Sequence, residues 1–150
     1  HNYWFSVQPV QQLVVELTER DVLQDGDQHM AEHLHFKGVQ LAIDDFGTGN
    51  SSLSWLEKLR PDVLKIDRSF TSSVGIDSVN ATVTDIIIAL ANRLHIVTVA
   101  EGVETLEQES YLRRHGVDVL QGFYYARPMP VEAFPAWLAS REPTERVTVE

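Results

Sequence analysis

Short runs of aliphatic and β-branched residues alternate with longer stretches of helical periodicity along most of this chain. Five runs are predicted to be buried strands: residues 13–17, 39–43, 63–66, 96–99 and 117–120. Strands that alternate with helices pair in parallel through right-handed crossovers, and helices then cover both faces of the sheet. The pattern therefore predicts an α/β fold with about five parallel strands and intervening helices.

Five strand–helix units are too few for a closed (β/α) barrel, which has eight strands and typically about 250 residues. The 150 residues therefore fit either an open α/β sheet or an incomplete (β/α) TIM-like barrel whose first part is missing. The opening segment favours the second alternative, because Tyr3, Trp4 and Phe5 supply apolar bulk without a helix-start signal. On this interpretation residues 1–150 are the C-terminal portion of a single domain, and residues 142–150 form a flexible tail.

Several helix ends can be assigned from the sequence. Gly38 is predicted to end the first helix, and Thr105 with Gln108 forms a capping box at the start of a later one. A last helix is predicted over residues 133–139. It is expected to contribute three residues to the core: Phe134, Trp137 and Leu138.

The acidic composition argues against a protein that binds DNA or RNA polymers through clustered basic residues. The formal net charge is −10, and only 12 residues are Lys or Arg. An acidic protein can still bind phosphate when divalent cations lie between its carboxylates and the phosphoryl oxygens. The lack of cysteine is compatible with a cytoplasmic location, and the longest apolar run, residues 85–91, is far shorter than the ~20 residues that span a bilayer.

Polar or acidic residues stand at the carboxyl end of every predicted strand. They are Glu16, Asp44, Asp45, Lys65, Asp67, Glu101 and Gln121. In a parallel α/β sheet these ends meet at one face, where ligands bind. One acid after a strand is usually a solvated loop residue or a helix cap, but five strand ends of this kind are a stronger signal. Because crowded carboxylates repel one another unless cations neutralise them, the pattern predicts a metal site.

The predicted ligands are all oxygen atoms, which favours Mg²⁺ or Mn²⁺ over zinc or copper. Adjacent acids such as Asp44 and Asp45 can bind two ions, and two ions about 3.5–4 Å apart commonly assist displacement at phosphorus. Lys65 stands one strand period from Asp67, so both side chains should project from the same face. Two roles remain open for Lys65: a structural partner of one acid, or the group that orients the attacking water.

The segment after the aspartate pair has the composition of a mobile loop, with two glycines around a threonine. It consists of Phe46, Gly47, Thr48, Gly49, Asn50 and Ser51. Taken alone, this turn is weak evidence for phosphate binding, because it lacks the lysine of a P-loop.

Five sequence blocks resemble the signature blocks of EAL domains, and they occur in the order typical of that family. The blocks are VVELTERD, LAIDDFGTGNSSLSWL, PDVLKIDRSF, TVAEGVETLEQ and LQGFYYARPMP, and the resemblance covers nearly the whole chain, from Leu13 to about Leu138. The resemblance implies a modified (β/α) barrel that hydrolyses cyclic di-GMP to the linear dinucleotide pGpG. It also implies two divalent cations, Mg²⁺ or Mn²⁺, as cofactors.

The resemblance further implies roles for individual residues. The implied metal ligands are Glu16, Asp44, Asp45 and Glu101, and the implied catalytic residues are Lys65, Glu101 and Asp45. Lys65 would position the nucleophile. Gln121 would lie at or next to the metal coordination sphere, and Asp67 and Glu104 would be supporting acids. Glu19 would anchor the loop after the aspartates.

The same loop, from Phe46 to Ser51, is used by the family for dimer formation, so a homodimer is implied as well. Asn50 stands where the family usually has an aromatic residue. Family members are often fused to sensory or membrane domains, so the parent protein is expected to carry such a domain and could be anchored in the inner membrane.

Two family ligands are not found in residues 1–150. The glutamate of the EAL tripeptide and an asparagine of the following strand both belong upstream of His1. Losing two ligands of a shared cluster weakens metal affinity severely, so the chain alone is predicted to be inactive without the missing part of the barrel.

Two other functions remain as alternatives. The chain could be a non-catalytic module that binds cyclic di-GMP or mediates dimerisation. The segment from His29 to His33 also matches the HxxEH pattern of inverted zincin peptidases, although an ordinary solvated helix face explains this short match equally well. The peptidase interpretation leaves the acids at the strand ends unexplained.

Overall fold

The computed structural model describes residues 13–18, 27–47, 53–75 and 79–140. These ranges contain five strands: β1 (Val14–Thr18), β2 (Gln40–Asp44), β3 (Val63–Ile66), β4 (Val97–Ala100) and β5 (Val119–Leu120). The strands form one sheet in the order β1-β2-β3-β4-β5, and every neighbouring pair is parallel. The predicted α/β fold with five parallel strands is therefore confirmed.

The helices of the described residues separate the strands, as the alternation in the sequence predicts. They are α1 (Asp27–Phe36), α2 (Leu53–Leu59), α3 (Arg68–Thr71), α4 (Val79–Leu94), α5 (Leu106–Arg114) and α6 (Phe134–Ala139), with a short 3₁₀ turn at Val131–Ala133 before the last. No helix within the described ranges is long and apolar enough to cross a bilayer. The predicted capping box is present, because the Thr105 side chain accepts from the Gln108 N–H and the Gln108 side chain accepts from the Thr105 N–H.

Strands β2, β4 and β5 begin later than the sequence predicts, for one shared reason. The backbone N–H groups of Val39, Ile96 and Val117 donate to carbonyl oxygens in the last turn of the preceding helix, at 3.0, 3.0 and 3.1 Å. These apolar residues therefore close the helix ends and do not pair in the sheet. Gly38, which ends α1, has the left-handed φ of 75° that such a closure requires.

The core lies between the sheet and the helices that cover it. Leu41, Ile43, Leu64 and Ile66 are almost completely buried in β2 and β3, and Ile87 and Ile88 of α4 pack in the same cluster. Leu64 and Ile66 alternate with Lys65, so Lys65 projects from the other face of β3. The buried strands fix the position of the polar residues at their carboxyl ends.

The predicted contribution of α6 to the core is wrong. Phe134 and Leu138 are 47% and 56% exposed, and Trp137 is only half-buried, with its ring stacked 5.7 Å from that of Phe134. Apolar periodicity shows that a helix has an apolar side, but it does not show that a surface is available to cover that side. Within the described residues the sheet ends at β5, and no further strand lies beyond it for α6 to cover.

Two aspartates link neighbouring strands at the amino end of the sheet. Asp62 Oδ2 accepts a hydrogen bond of 2.8 Å from the Leu41 N–H and lies 3.2 Å from His35 Nε2. Asp118 Oδ2 accepts from both the N–H and the hydroxyl of Thr98, at 2.8 and 2.9 Å. Each aspartate therefore provides an acceptor for buried polar groups of the adjacent strand. This end of the sheet is opposite the one where the predicted site acids Glu16, Asp44 and Glu101 lie.

Candidate metal-binding and active site

Three carboxylates from three different strands or strand ends converge on the ammonium group of Lys65. Lys65 Nζ lies 2.8 Å from Glu101 Oε1, 3.0 Å from Glu16 Oε2 and 3.2 Å from Asp44 Oδ2. The four residues come from β1, the end of β2, β3 and the loop after β4. The predicted convergence of polar groups at the carboxyl ends of the strands is therefore present for these four.

Strand register explains why these distant residues meet. Thr18 at the end of β1 pairs with Asp44, and Lys65 pairs with Val99, so the ends of the strands lie level with one another. The Glu101 N–H donates to the Ile66 carbonyl at 3.0 Å, which continues the β3–β4 ladder one residue beyond β4. This bond holds the Glu101 backbone next to the strand that carries Lys65.

The Lys65 side chain is only 13% exposed, whereas those of Asp44, Glu101 and Glu16 are 23%, 26% and 52% exposed. Burial alone would lower the pKa of Lys65. The hydrogen bonds with Glu101, Glu16 and Asp44 outweigh that effect and raise its pKa above the ordinary value. In this arrangement the ammonium neutralises part of the negative charge of the three carboxylates.

The two residues directly after Asp44 and Asp45 pack closely in the core. Asp45 has a left-handed φ of 55°, and its N–H donates to Asp44 Oδ1 at 3.0 Å. Phe46 is 4% exposed and belongs to the core. Gly47 has a φ of 94°, and a Cβ at this position would lie 3.0 Å from Ile87 Cδ1. The chain therefore enters the core directly after the aspartates, which restricts their backbone.

The loop between β4 and α5 is held tightly against the end of β5. The Val103 N–H donates to the Gln121 carbonyl at 3.0 Å, and the Tyr124 N–H donates to the Val103 carbonyl at 3.0 Å. A Cβ on Gly122 would lie only 2.1 Å from the Val103 oxygen, so the two backbones approach as closely as glycine allows. This packing places Gln121 beside the loop that carries Glu101.

A cavity of about 200 Å³ opens next to Glu101. Its lining residues are Arg68, Glu101, Gly102, Glu104, Gln121, Gly122 and Phe123. The Phe123 ring is 48% exposed, and the Arg127 guanidinium lies 4.7 Å from its centre. Lys65, Glu16, Asp44 and Glu101 are called the Lys65 cluster below. Gln121 and Glu104 thus border a cavity next to this cluster.

Asp67 has a structural role at the start of α3. Its side chain accepts a hydrogen bond of 2.9 Å from the Ser69 N–H and caps the helix. Burial would raise the pKa of Asp67, but the hydrogen bonds from Ser69 and the nearby Arg68 lower it below the ordinary value. This cap fixes the turn that follows Lys65.

Some predicted residues lie outside the described part of the chain. They are Glu19, Thr48, Gly49, Asn50 and Ser51, as well as the predicted tail at residues 142–150.

The Lys65 cluster has the oxygen ligands that a hard cation prefers, although its carboxylates are not already arranged as a metal site. Within the described ranges, no three His, Asp or Glu side chains are arranged as a ready metal site. The carboxylates of Glu16, Asp44 and Glu101 instead surround a positive charge, the Lys65 ammonium. An all-oxygen donor set that already gathers around one cation fits Mg²⁺ or Mn²⁺.

The residues of the HxxEH segment form an exposed helix face. On α1, His29 Nδ1 lies 3.5 Å from Glu32 Oε2, and the two side chains are 89% and 61% exposed. A ligand pair for a peptidase metal needs a third ligand and a cleft, and the described residues provide no such group. The solvated-helix interpretation therefore accounts for this segment.

Sequence reasoning did not identify Arg68, Gly102 and Gly122 as residues of the site. Their importance depends on close approaches between segments that are distant in the sequence. The only local signal is their position, directly after Asp67, Glu101 and Gln121 respectively.

Comparison with known proteins identifies relatives of this chain. The model of the EAL domain family matches residues 4–128. The chain is 66% identical over 143 residues to the probable cyclic di-GMP phosphodiesterase PdeD of Escherichia coli K12, a match that covers 95% of this chain and 27% of PdeD. It is 44% identical over 129 residues to the Pseudomonas aeruginosa bifunctional diguanylate cyclase/cyclic di-GMP phosphodiesterase MucR, covering 85% of this chain and 19% of MucR.

Solved structures show the same architecture. The PaMucR phosphodiesterase in complex with c-di-GMP superposes with a TM-score of 0.77 at 43% identity, covering 84% of this chain and 52% of that one. A manganese/cyclic di-GMP complex of Klebsiella pneumoniae BlrP1 superposes with a TM-score of 0.73 at 35% identity, covering 81% and 31%. The chain thus spans about a quarter of PdeD and about half of the solved MucR phosphodiesterase, and its fold is that of part of a TIM-like barrel.

Proposed function

This chain belongs to the EAL domain family, and from that premise we propose that it is the C-terminal portion of a metal-dependent phosphodiesterase domain that hydrolyses cyclic di-GMP to linear pGpG. The observation that carries the proposal is the convergence of Glu16, Asp44 and Glu101 on Lys65 at the carboxyl ends of the strands. The choice of substrate is supported by PdeD, a probable cyclic di-GMP phosphodiesterase, and by MucR, a bifunctional diguanylate cyclase/cyclic di-GMP phosphodiesterase.

Four acids would hold two divalent cations, Mg²⁺ or Mn²⁺: Glu16, Asp44, Asp45 and Glu101. When bound, the cations would offset the charge of the phosphodiester, polarise its oxygens and lower the pKa of a bound water. The manganese complex of BlrP1 supports this cofactor. Asp45 and Glu101 are proposed to be catalytic through this metal site.

Lys65 is proposed to hold and orient the attacking water. A lysine ammonium has three N–H donors and no acceptor. All three donors are occupied here, by Glu16, Asp44 and Glu101. One N–H must therefore leave its carboxylate before Lys65 can donate to a water, and the Glu16 contact is the most exposed of the three, with 52% of the carboxylate side chain accessible.

The other acids and the glutamine are proposed to support this centre. Gln121 borders the cavity beside Glu101, where its amide can donate to or accept from a ligand. Asp67 caps α3 directly after β3, and Glu104 pairs with Arg68 at 2.8 Å. These contacts keep in place the turn that follows Lys65 and the loop that carries Glu101.

Two further proposals rest on family resemblance. Glu19 would anchor the loop from Phe46 to Ser51, and that loop would couple homodimer formation to the metal site. Only Phe46 and Gly47 of this loop are among the described residues, and Phe46 lies in the core directly behind the aspartates.

Activity is proposed to require the amino-terminal part of an EAL domain, because the family ligands that precede this segment are not among residues 1–150. The domain is proposed to act in the cytoplasm, and the parent protein is proposed to carry a sensory or membrane domain in addition. We call a polypeptide in which this chain follows that amino-terminal part the complete domain.

A turnover assay tests the proposed function. The chain alone and the complete domain are each incubated with cyclic di-GMP and Mn²⁺, and linear pGpG is quantified by chromatography. We expect pGpG from the complete domain, little from the chain alone, and a loss of at least about a hundredfold in Lys65→Met.

The control variant is Arg93→Ala, which alters an exposed residue at the end of α4, on the opposite side of the sheet from the cluster. It should retain wild-type turnover. Binding of cyclic di-GMP or dimerisation without any pGpG from the complete domain would instead identify a non-catalytic module.

A further inference from the structure

Arg68 links the end of β3 to the loop that carries Glu101. Its Nη2 lies 2.8 Å from Glu104 Oε1, at the far end of that loop. Its aliphatic stem lies against Gly102, since a Cβ on Gly102 would be 2.4 Å from Arg68 Cγ and 2.7 Å from Arg68 Cβ. Gly102 has a φ of 69°, a backbone conformation that glycine adopts without strain. One side chain therefore contacts the residue directly after Glu101 and pairs with the acid two positions further on.

The same loop is enclosed on its other side. Val103 is completely buried, its N–H donates to the Gln121 carbonyl, and the backbone of Gly122 packs directly against it. The segment from Glu101 to Glu104 thus lies between Arg68 on one side and the end of β5 on the other.

Glu101 makes the shortest of the three contacts with Lys65, at 2.8 Å. The loop backbone fixes the position of the Glu101 Cα, and this position sets the point from which the carboxylate reaches Lys65. We propose that Arg68 is a positioning residue, which sets the Glu101 carboxylate relative to Lys65 by clamping Gly102 and Glu104. The proposal rests on the proposed phosphodiesterase function and extends it to a residue outside the metal ligands.

Two components of the clamp can be separated. The Arg68 and Glu104 side chains are 63% and 40% exposed, so their ion pair alone contributes little to stability. The contact of the stem with Gly102 is a packing contact that an uncharged side chain could preserve. A series of variants at this position therefore distinguishes charge from packing: Arg68→Lys keeps both in part, Arg68→Met keeps the stem, and Arg68→Ala removes both.

Hydrogen–deuterium exchange of the metal-free complete domain tests the positioning directly and requires no turnover. The amides to follow are those of Val103 and Glu104, which donate to the Gln121 carbonyl and to Gln108 Oε1. We expect faster exchange at both amides in Arg68→Ala, a smaller increase in Arg68→Met and near wild-type exchange in Arg68→Lys. The Thr98 amide, bonded to Asp118 at the opposite end of the sheet, is the internal reference and should be unchanged.

Steady-state kinetics with cyclic di-GMP and Mn²⁺ supply the second readout. Because displacement of a catalytic group by about an ångström can reduce the rate by up to about a hundredfold, we expect kcat of Arg68→Ala to fall about tenfold to a hundredfold. KM should change by less than about threefold, Arg68→Lys should restore most of kcat, and Arg93→Ala should match the wild type.

The possible outcomes distinguish a positioning role of Arg68 from direct binding of substrate. An increased KM with unchanged exchange at Val103 and Glu104 would mean that Arg68 binds substrate directly, and it would overturn the positioning role. Unchanged kcat in Arg68→Ala would overturn it as well. If the wild-type complete domain formed no pGpG, the proposed function would fail, whereas the exchange measurement would still show whether Arg68 holds the loop.

Discussion

The Lys65 ammonium lies 2.8 Å from the Glu101 carboxylate, and the same nitrogen also contacts Glu16 and Asp44. One positive charge therefore serves three carboxylates that come from separate parts of the chain. The arrangement links the stability of the metal-free protein to the residues that are proposed to bind metal.

Replacing Lys65 should destabilise the metal-free protein. In Lys65→Met the three carboxylates lose their common partner and repel one another, so we expect the free energy of unfolding to fall by about 1–2 kcal/mol in urea titrations. In the complete domain, saturating Mn²⁺ should raise the melting temperature of Lys65→Met more than that of the wild type, because the bound cation replaces the missing positive charge.

The matched control is Lys58→Met, which removes an exposed lysine of α2. Its unfolding free energy should stay within about 0.5 kcal/mol of the wild-type value. An equal response of Lys65→Met and Lys58→Met to Mn²⁺ would contradict a cation site at the carboxylate cluster.

Removing the Asp118 carboxylate should weaken the amino end of the sheet. Thr98 is fully buried, and both its N–H and its hydroxyl donate to Asp118 Oδ2. Asp118→Ala leaves these buried donors without that acceptor, so we expect a loss of about 1–3 kcal/mol in unfolding free energy. The exposed Glu132→Ala is the control, and an equal effect of the two substitutions would show that the Asp118 bonds contribute nothing.

A methyl group at Gly122 should disturb the site through the backbone of Val103. The added Cβ would lie 2.1 Å from the Val103 oxygen and 2.3 Å from its nitrogen, so the loop that carries Glu101 would have to move. Gly38→Ala is a matched control, since Gly38 has a φ of 75° but no heavy atom of a neighbouring segment within 4 Å of where its methyl group would lie.

Gly38→Ala should therefore cost only the strain of a left-handed backbone, about 1–2 kcal/mol. Gly122→Ala should abolish turnover of the complete domain, because it shifts Glu101, whereas Gly38→Ala should leave kcat within about twofold of the wild type. Equal kcat values for the two variants would show that the close approach at Val103 does not position the site.

The Asp67 cap should stabilise α3 in a pH-dependent way. The pKa of Asp67 is lowered in the folded protein, so the unfolded state binds more protons, and the stabilisation is present above the ordinary pKa and lost as the pH falls through the folded value. At pH 7, Asp67→Ala should lose about 1 kcal/mol, whereas Asp67→Asn should lose much less because asparagine also caps helices.

Denaturant titrations at pH 7 and at about pH 3 measure this effect, with Asp67→Asn as the control that does not titrate. The stability difference between the wild type and Asp67→Ala should shrink at the lower pH, while that between Asp67→Asn and Asp67→Ala should not. A constant difference between the wild type and Asp67→Ala would contradict a cap formed by the ionised side chain.

The strand and helix types were predictable because each depends on local periodicity. Leu64 and Ile66 alternate with Lys65 in β3, and this two-residue period identifies the strand and its buried face. The ends of the strands were less predictable, since Val39, Ile96 and Val117 are apolar residues that bond to the preceding helix. Whether an apolar residue closes a helix or enters a sheet depends on backbone hydrogen bonds that its side chain does not specify.

The amino-acid sequence by itself determined the order of strands and helices, the buried face of β3 and the gathering of acids at one end of the sheet. These follow from side-chain period and from the rule that parallel strands end together. Only the tertiary structure decided that Lys65 lies between Glu16, Asp44 and Glu101, that Arg68 lies on Gly102, and that α6 leaves Phe134 and Leu138 exposed. Each of these depends on how closely distant segments approach, and that distance is set by the packing of the whole sheet, which no local pattern of residues records.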